Sequence, residues 1–303
     1  MPSGVPPCVS ATSRVRLAPH WRPWQGPIPA RVAIFTPSGP RCVRPRSDSG
    51  TKDGGNNYNG DAEINAPIIK RRLAIRAVVG YQNLSGWIST PNQRDANDEL
   101  SRTGRLKILG RPTDDLSIEA EVWLSRDSFG GLSSGYTDYR NAALINQSYY
   151  NNYNAYGLKT KYNFTAFTIT SHTSYLNYTS AGTIDPYFLL HGLHLPEPLA
   201  FNSHVFTQEI DLASNQAGPW KWTGGAVFRN ATDNDFIAVI PLLTYDWTNT
   251  SRSYAVFGEL SRKFYHDKLE LTLGARYFHD DVGTRSQRPR SSPCSHNPSQ
   301  PHI

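Results

Sequence analysis

The chain has 303 residues, of which 38% are hydrophobic and 18% are charged, and its formal net charge is +6. The positive charge lies in the two ends, because residues 1–50 carry seven arginines and one acid and residues 282–303 carry three arginines and no acid, whereas acids outnumber bases between them. A nucleic-acid-binding domain places a basic face on its folded part, so this distribution argues against nucleic acid as a partner.

The two ends also differ from the middle in composition. They hold 14 of the 22 prolines and all three cysteines, but none of the 16 tyrosines. Segments rich in Pro, Arg and Ser with few large apolar residues do not bury enough surface to offset the entropy lost on ordering. We therefore expect disordered segments at 1–53 and 282–303, on either side of a folded region at 54–281 that has no cysteine for a disulfide or a metal.

Neither a membrane-spanning helix nor a secretory signal is predicted in this chain. There is no run of 18 apolar residues, and Pro2, Pro6 and Pro7 interrupt the N-terminus, which has no continuous apolar stretch. A transmembrane β-barrel remains compatible with these features, because its strands are short and only half apolar.

Apolar and polar residues alternate at several places in the folded region. The segments RLAIRAVVGY, DLSIEAEVWLS and KLELTLGARYF show this pattern, and FTQEIDLAS shows it more weakly. Alternation over about 10 residues is typical of a half-buried strand and is also the length with which a tilted strand crosses a bilayer. The sequence predicts ten strands, at 58–66, 72–88, 102–109, 115–126, 155–162, 166–178, 204–214, 220–230, 253–264 and 268–280.

The predicted connections alternate between short and long along the chain. The short ones are 67–71, 110–114, 163–165, 215–219 and 265–267, and the long ones are 89–101, 127–154, 179–203 and 231–252. In an antiparallel meander each rim receives every second connection, so one rim carries tight turns and the other carries long loops, as in outer-membrane barrels. Aromatic residues beside the short turns are typical of a girdle at the membrane interface, namely Tyr162, Phe164, Trp220, Trp222, Phe264 and Tyr265.

These patterns predict an all-β protein, an antiparallel up-and-down transmembrane β-barrel fragment of about ten strands that is open or incompletely closed, with disordered termini. Apolar positions such as Leu116, Ile118, Leu271 and Leu273 should then face lipid rather than a second protein layer. Charged residues on the opposite face should line a wet lumen. The candidates for the lumen are Arg72, Arg76, Glu119, Glu121, Glu209, Asp211, Glu270 and Arg276.

Four segments, in the same order along the chain, resemble the β-barrel of TonB-dependent outer-membrane receptors. They are GGNNYNGDAEINAPIIKRRLAIRAVVGYQNLSGWI, RLKILGRPTDDLSIEAEVW, FTQEIDLAS with WKWTGGAVFR, and YAVFGELSRKFYHDKLELTLGARYFHDD. The resemblance covers 54–281 and implies uptake of a scarce nutrient, most often a ferric siderophore or similar iron complex, across the outer membrane of a Gram-negative bacterium. It implies outer-membrane lipid, the TonB complex and a small-molecule or metal-chelate ligand as partners, and neither an enzyme activity nor a cofactor.

The chain departs from this family at both ends. The family's signal peptide, TonB box, plug domain and C-terminal aromatic strand are not recognisable here, and its barrels have 22 strands. We therefore expect a partial barrel that is not competent for transport on its own. We also hypothesise that 1–53 and 282–303 arise from out-of-frame or misassigned translation.

The predicted loop SSGYTDYRNAALINQSYYNNYNAY (133–156) is rich in Tyr and Asn. Tyrosine offers rigid contact area with a polar tip, and asparagine offers adaptable hydrogen bonds, so this composition favours ligand capture. The segment 232–247 is a second candidate surface. The alternative interpretation is that the 133–156 loop packs on its neighbours. The candidate ligand contacts are Tyr139, Arg140, Tyr149, Tyr150 and Tyr153.

Other kinds of site have weaker support in the sequence. His191 and His194, with His204 nearby, have a two-histidine spacing, but a metal site needs three or four converging ligands. Glu119 and Glu121 share a strand face at about 7 Å, a spacing that suits a glycosidase pair, although charged groups facing a lumen explain them better. We predict no catalytic, cofactor or metal-binding residues.

Two other functional classes stay open at this point. One is a passive outer-membrane porin-type channel, which shares the physics of a barrel. The other is a soluble all-β carbohydrate-binding or hydrolytic protein, which would pack its apolar faces on each other in a sandwich or a propeller.

Overall fold

The computed structural model describes residues 43–46, 55–136, 138–187, 190–215, 218–265 and 268–286. They form one eleven-stranded sheet in which each strand pairs antiparallel with the next one along the chain. The strands are β1 (Val43–Arg46), β2 (Tyr58–Ile69), β3 (Leu73–Leu84), β4 (Glu99–Gly110), β5 (Leu116–Phe129), β6 (Tyr149–Asn163), β7 (Phe167–Ile184), β8 (Glu197–Ser214), β9 (Trp220–Val239), β10 (Leu243–Phe264) and β11 (Leu269–Ser286).

This architecture confirms the predicted all-β, up-and-down meander. The ten predicted strands correspond to β2–β11, and within the described residues the sheet is not closed, because β1 and β11 remain its two edges. The described part of the chain contains no helix of the length and apolarity needed to cross a membrane.

Two ordered segments extend beyond the region that the sequence predicted to fold. β1 lies within the segment 1–53 that we expected to be disordered, and β11 runs past residue 281 to Ser286. The ladder between β1 and β2, such as Val43 opposite Ala62, is formed by backbone groups, so composition is a poor guide to it. An edge strand also tolerates Pro45, which lies opposite Gly60.

Most strands are longer than predicted at the rim that carries the long connections, whereas β3 ends at Leu84, four residues before its predicted end. Three long loops remain there, which we call the first (85–98), the second (130–148) and the third (185–196). The fourth predicted loop, 231–252, is wrong, because β9 and β10 pair continuously up to a turn at 240–242.

Polar cross-strand pairs explain why the sequence predicted a loop at 231–252 where the structure has a hairpin. The Thr248 hydroxyl donates to Asn234 Oδ1 at 2.8 Å, and Asn249 Nδ2 donates to Asp235 Oδ2 at 3.2 Å, on opposite faces of the hairpin. A strand that is polar on both faces shows no alternation of hydrophobicity, although its backbone ladder is intact.

The register assigns every strand residue to one of two faces. Ala77 opposite Leu106 and Ile75 opposite Ile108 define an apolar face, whereas Arg76 opposite Lys107 belongs to the polar face. Across the sheet, the exposed apolar side chains of the apolar face include Ile64, Val79, Leu106, Leu158, Ile210, Val256, Leu271 and Leu273.

No second layer covers the apolar face in the described part of the chain. Leu271 and Leu273 are 57% and 79% exposed, and Leu116 and Ile118 on the same face are half-buried beside neighbouring strands. The expectation that these residues do not pack under another protein layer is therefore confirmed. A soluble sandwich or propeller needs such a layer, since soluble proteins seldom expose an apolar surface of this extent.

Aromatic side chains cluster at the rim that carries the short turns. Tyr162, Phe164 and Phe167 pack in series, with ring centroids 4.5 and 4.6 Å apart. The Arg262 guanidinium lies 4.7 Å from the ring centroid of Trp220 and 4.6 Å from that of Phe264. These rings combine an apolar body with a polar or cationic border, which is the chemistry of a membrane–water interface.

Candidate functional site

The five predicted ligand contacts do not lie in one loop. Tyr139 and Arg140 belong to the second long loop, whereas Tyr149, Tyr150 and Tyr153 lie in β6, because the strand begins earlier than predicted. Tyr149 and Tyr153 are on the polar face and Tyr150 is on the apolar face. The structure thus brings Tyr139 and Arg140 together and places Tyr150 on the other side of the sheet.

The two tyrosines on the polar face of β6 pack against aromatic residues of β5. Tyr149 stacks on Phe129 with centroids 4.5 Å apart and planes 14° apart. Tyr153 meets Trp123 edge-to-face, with centroids 5.2 Å apart. These rings therefore form a rigid aromatic strip on the polar face below the second long loop.

A cleft of about 1040 Å³ lies between the first and second long loops. Tyr139 and Arg140 line it, together with Trp87, Tyr136 and a mixed set of charged and amide side chains, which are Arg94, Asp95, Asp138, Asn92, Gln93 and Asn141. A smaller cavity of about 270 Å³ lies beside it, lined in part by Ile88, Leu144 and Gln147. The larger volume suits a small molecule, and aromatic faces with a few polar groups are typical of ligand sites.

Backbone hydrogen bonds hold the two walls of the cleft together. Ser89 N–H donates to the Tyr139 carbonyl at 3.0 Å, and Asn141 N–H donates to the Ser89 carbonyl at 2.9 Å. Asn97, which is buried, accepts at Oδ1 from the N–H groups of Trp87 and Ile88, each at 2.8 Å. The backbone beside Trp87 and Tyr139 is therefore fixed, although both residues belong to loops.

Tyr139 and Arg140 project from a strained part of the second loop. Tyr139 has φ of 61°, a left-handed conformation that is uncommon for an aromatic residue and is found most often at functional sites. Its side chain is 53% exposed, and that of Arg140 is 79% exposed with only a 3.7 Å contact between its Nε and Asp138 Oδ2. Both side chains are thus presented to the cleft rather than used in packing.

The sequence did not identify Trp87 and Arg94 as members of this site, and it identified Tyr136 only as part of the 133–156 loop. Trp87 lay near the end of the predicted strand 72–88, and Arg94 lay in a loop that carried no motif. Their convergence depends on the pairing of the first loop with the second, including the bridge between Ser89 and Arg140. Only the proximity of both loops at one rim, which the alternation of connections predicts, pointed to it.

The third long loop contacts the same region through Tyr187. Burial raises the pKa of Tyr187 above its ordinary value of 10.0, and the neighbouring Tyr136 side chain acts in the same direction. Tyr187 therefore lies close enough to Tyr136 to interact with it.

The three histidines that we considered as metal ligands do not converge. His194 Nδ1 lies 2.7 Å from Asp185 Oδ2, whereas His204 is in β8, with its Nδ1 3.3 Å from the Tyr175 hydroxyl. His191 is exposed in the third loop. Among the described residues no group of three His, Cys, Asp or Glu side chains is arranged to hold a metal ion.

The predicted lumen candidates share the polar face. Arg76, Glu119, Glu121, Glu209, Asp211, Glu270 and Arg276 lie on it by register, and Arg72 lies in the turn 70–72, where its Nη2 is 3.1 Å from Asp114 Oδ1. That this face lines a lumen stays a prediction.

Ion pairs connect neighbouring strands of the polar face. Lys107 Nζ lies 2.7 Å from Glu119 Oε1 and 3.6 Å from Glu121 Oε2, and Arg105 Nε donates to Glu121 Oε1 at 2.6 Å. Both carboxylates therefore form ion pairs with cations on β4. This arrangement is that of ion pairs that connect neighbouring strands, rather than that of a glycosidase acid and base.

Replacing Lys107 with Met should lower the free energy of unfolding by no more than about 1 kcal/mol, because the pair is partly exposed and screened by solvent. Urea titration of the protein in phospholipid vesicles measures this change, with Lys107→Arg as the control that keeps the charge. A loss above about 3 kcal/mol would instead indicate a fully desolvated ion pair.

Comparison with known proteins gives a consistent result. The family model described as TonB dependent receptor-like, beta-barrel, matches residues 43–300, which extends on both sides of the 54–281 region. No curated protein sequence matches the chain.

Solved structures similar to this chain include three bacterial receptors and transporters. The ferric yersiniabactin uptake receptor FyuA from Yersinia pestis has 14% identity and a TM-score of 0.63 over 77% of this chain and 40% of its own. BauA, the ferric preacinetobactin receptor from Acinetobacter baumannii, has 11% identity and a TM-score of 0.60 over 76% and 40%. The unliganded ferric citrate transporter FecA has 11% identity and a TM-score of 0.60 over 80% and 37%. At these identities the likeness concerns the fold, and the chain spans 40% or less of each neighbour.

Proposed function

Because this chain belongs to the TonB-dependent receptor-like β-barrel family, we propose that it forms part of an outer-membrane receptor that takes up a ferric siderophore or a similar iron complex. Members of this family are transport receptors of the outer membrane and not enzymes. On this proposal the apolar face contacts outer-membrane lipid, the polar face lines the lumen, and the three long loops lie outside the cell. The TonB complex would be the partner that energises uptake.

One observation carries the membrane part of the proposal. Most of the exposed large apolar side chains of strands β2–β11 lie on one face of the sheet, while the opposite face carries ion pairs. In a membrane barrel the alternation has this sense, with apolar residues outward and polar residues inward. A bilayer supplies the apolar environment that no other layer of the described chain provides.

The cleft between the first and second long loops carries the ligand part. Arg94 and Arg140 offer cationic groups, and Trp87, Tyr136 and Tyr139 offer flat rings. An iron chelate with anionic ligand groups and an apolar rim matches both, since guanidinium groups bind carboxylates and similar anions with directed hydrogen bonds. The three structural neighbours described above bind ferric chelates according to their names.

A passive channel shares the barrel and the two faces but needs no ligand-capturing loops. Family membership favours the receptor, and so does the presence of exposed arginine and tyrosine side chains around a preformed cleft. A pore for passive diffusion would not need to hold its loops together by hydrogen bonds such as the one from Asn97 Nδ2 in the first loop to Ser133 Oγ in the second, at 3.2 Å.

The variant Arg140→Ala should weaken binding of an iron chelate about tenfold or more, because it removes a charged hydrogen-bond donor from the cleft. Outer membranes from cells that express the receptor containing this chain are titrated with radioactive ferric citrate and with a ferric catecholate chelate. Tyr150→Ala is the control, since Tyr150 is also an exposed side chain but lies on the apolar face, away from the cleft. Absence of binding by the unmodified receptor to either chelate, above membranes without it, would contradict the proposed function.

A further inference from the structure

Asp185 is a buried carboxylate that neither the barrel wall nor the cleft requires. It follows β7 directly, and its side chain has no exposed area. A carboxyl group is costly to bury unless hydrogen-bond partners reach it, and here Oδ2 has such partners whereas Oδ1 has none among the described residues. The residues that supply those donors therefore indicate what this carboxylate holds in place.

The donors come from two different loops. Asp185 Oδ2 accepts hydrogen bonds from the N–H groups of Leu144 at 2.9 Å and Ile145 at 3.3 Å in the second long loop. It also lies 2.7 Å from His194 Nδ1 in the third long loop. In return, Asp185 N–H donates to the Gln147 side chain at 3.3 Å. One carboxylate oxygen thus joins both loops to the end of β7.

Asp185 and His194 are also connected to the cleft by a second set of contacts. The His194 ring stacks on Tyr187, with centroids 5.4 Å apart and planes 23° apart. Tyr187 in turn interacts with the neighbouring Tyr136, which lines the large cleft. Leu144, Ile145 and Gln147 line the small cavity beside it. Displacement of Asp185 or His194 would therefore reach the ligand-facing side of the second loop through two sets of contacts.

We propose that Asp185 and His194 form a clasp that positions the second and third long loops for ligand capture. Neither residue lines the large cleft, so both are positioning residues that act through Tyr187, Leu144 and Ile145. The inference deepens the proposed function and rests on it for the role in capture. The ordering of the loops can be measured without any ligand.

Hydrogen exchange at the amides of Leu144 and Ile145, in the detergent-solubilised receptor, tests the clasp directly. Asp185→Asn replaces one of the two carboxylate oxygens with an NH2 group that cannot accept from these amides, and His194→Phe keeps a ring on Tyr187 but removes the N–H donor. Both variants should accelerate exchange at the two amides roughly tenfold, because their acceptor is altered in the first variant and loses the contact that holds it in place in the second. His194→Gln, which restores an N–H donor without a ring, should return exchange toward the original rate.

His191→Phe is the matched control, because His191 is exposed in the same loop and should leave exchange unchanged. Binding of ferric citrate and uptake of iron are then measured on the same variants. The clasp predicts a weaker apparent affinity in Asp185→Asn and His194→Phe, with an unchanged maximal rate of uptake at saturating chelate. Heat-modifiable migration of each variant in gels verifies that its barrel has formed.

The possible results separate the two levels of the inference. Unchanged amide exchange in Asp185→Asn and His194→Phe would overturn the clasp whatever the binding result. Faster exchange with unchanged affinity would overturn the positioning role while leaving the proposed function intact. If the unmodified receptor binds neither ferric citrate nor a ferric catecholate, the proposed function and the role in capture are both overturned, and the exchange data alone decide whether the clasp orders the loops.

Discussion

Replacing Leu158 with Arg is expected to lower the free energy of unfolding in phospholipid vesicles by about 2–4 kcal/mol. Leu158 is 46% exposed on the apolar face of β6, and it lies between Ala120 on β5 and Thr173 on β7. In the proposed membrane barrel a guanidinium group at this position would enter the hydrocarbon region, where it loses hydration and finds no anion. Urea titration of folding in the vesicles gives the free-energy change.

The matched control is Ser174→Arg on the neighbouring strand. Ser174 is exposed on the polar face opposite Gly157, which leaves space for a long side chain, and it is one residue from the partner of Leu158. The two substitutions therefore introduce the same group at the same depth on opposite faces. We expect Ser174→Arg to cost less than about 1 kcal/mol, and equal costs for the two variants would contradict contact of the apolar face with lipid.

The distance of a residue from the short-turn rim gives a further test of whether the apolar face contacts lipid. Leu271 is also on the apolar face, but it lies opposite Arg262, whose guanidinium packs on the aromatic cluster at the short-turn rim. A charge near that rim stays close to water, so Leu271→Arg should cost less than Leu158→Arg. A gradient of this kind is specific to a bilayer, since burial against protein would not depend on distance from the rim.

The alternation of apolar residues was sufficient to predict ten strands, their order and the division into two faces. It succeeded for RLAIRAVVGY and KLELTLGARYF because one face of each strand is apolar throughout. It failed at Thr248 and Asn249, where both faces are polar, and at Val43–Arg46, whose pairing rests on the backbone. The periodic signal reports the environment of the side chains rather than the strand itself.

The candidate site was less accessible to sequence reasoning than the fold. A loop rich in Tyr and Asn pointed to Tyr139 and Arg140, but it also included Tyr149, Tyr150 and Tyr153, which the structure places in β6. Trp87 and Asp185 carry no local motif, because their roles arise from contacts between loops that are far apart in the chain, such as Asp185 with Leu144, 41 residues away. Contacts of that kind depend on which loops share a rim and on their lengths.

Replacing Gly86 with Ala is expected to disrupt the first long loop. A Cβ atom at this position would overlap the backbone carbonyl group of Asp95 and approach Asn97 Oδ1 to 2.9 Å. The backbone atoms of Asp95 have no alternative rotamer, so the loop itself must shift. The shift would also separate Asn97 from the N–H groups of Trp87 and Ile88, and leave buried polar groups without partners. Together these effects should cost at least about 2 kcal/mol of local stability.

The comparison with Gly104→Ala isolates this steric effect from the general change of glycine to alanine. Gly104 is in β4, and a Cβ atom built there meets nothing within 4 Å. We expect faster amide exchange throughout 85–98 and weaker chelate binding in Gly86→Ala, and neither change in Gly104→Ala. If amide exchange and chelate affinity were the same in Gly86→Ala and Gly104→Ala, the conformation of the first loop would not depend on the close approach of Gly86 to the Asp95 backbone. The cleft wall formed by Trp87 would then owe its position to the pairing of Ser89 with the second loop alone.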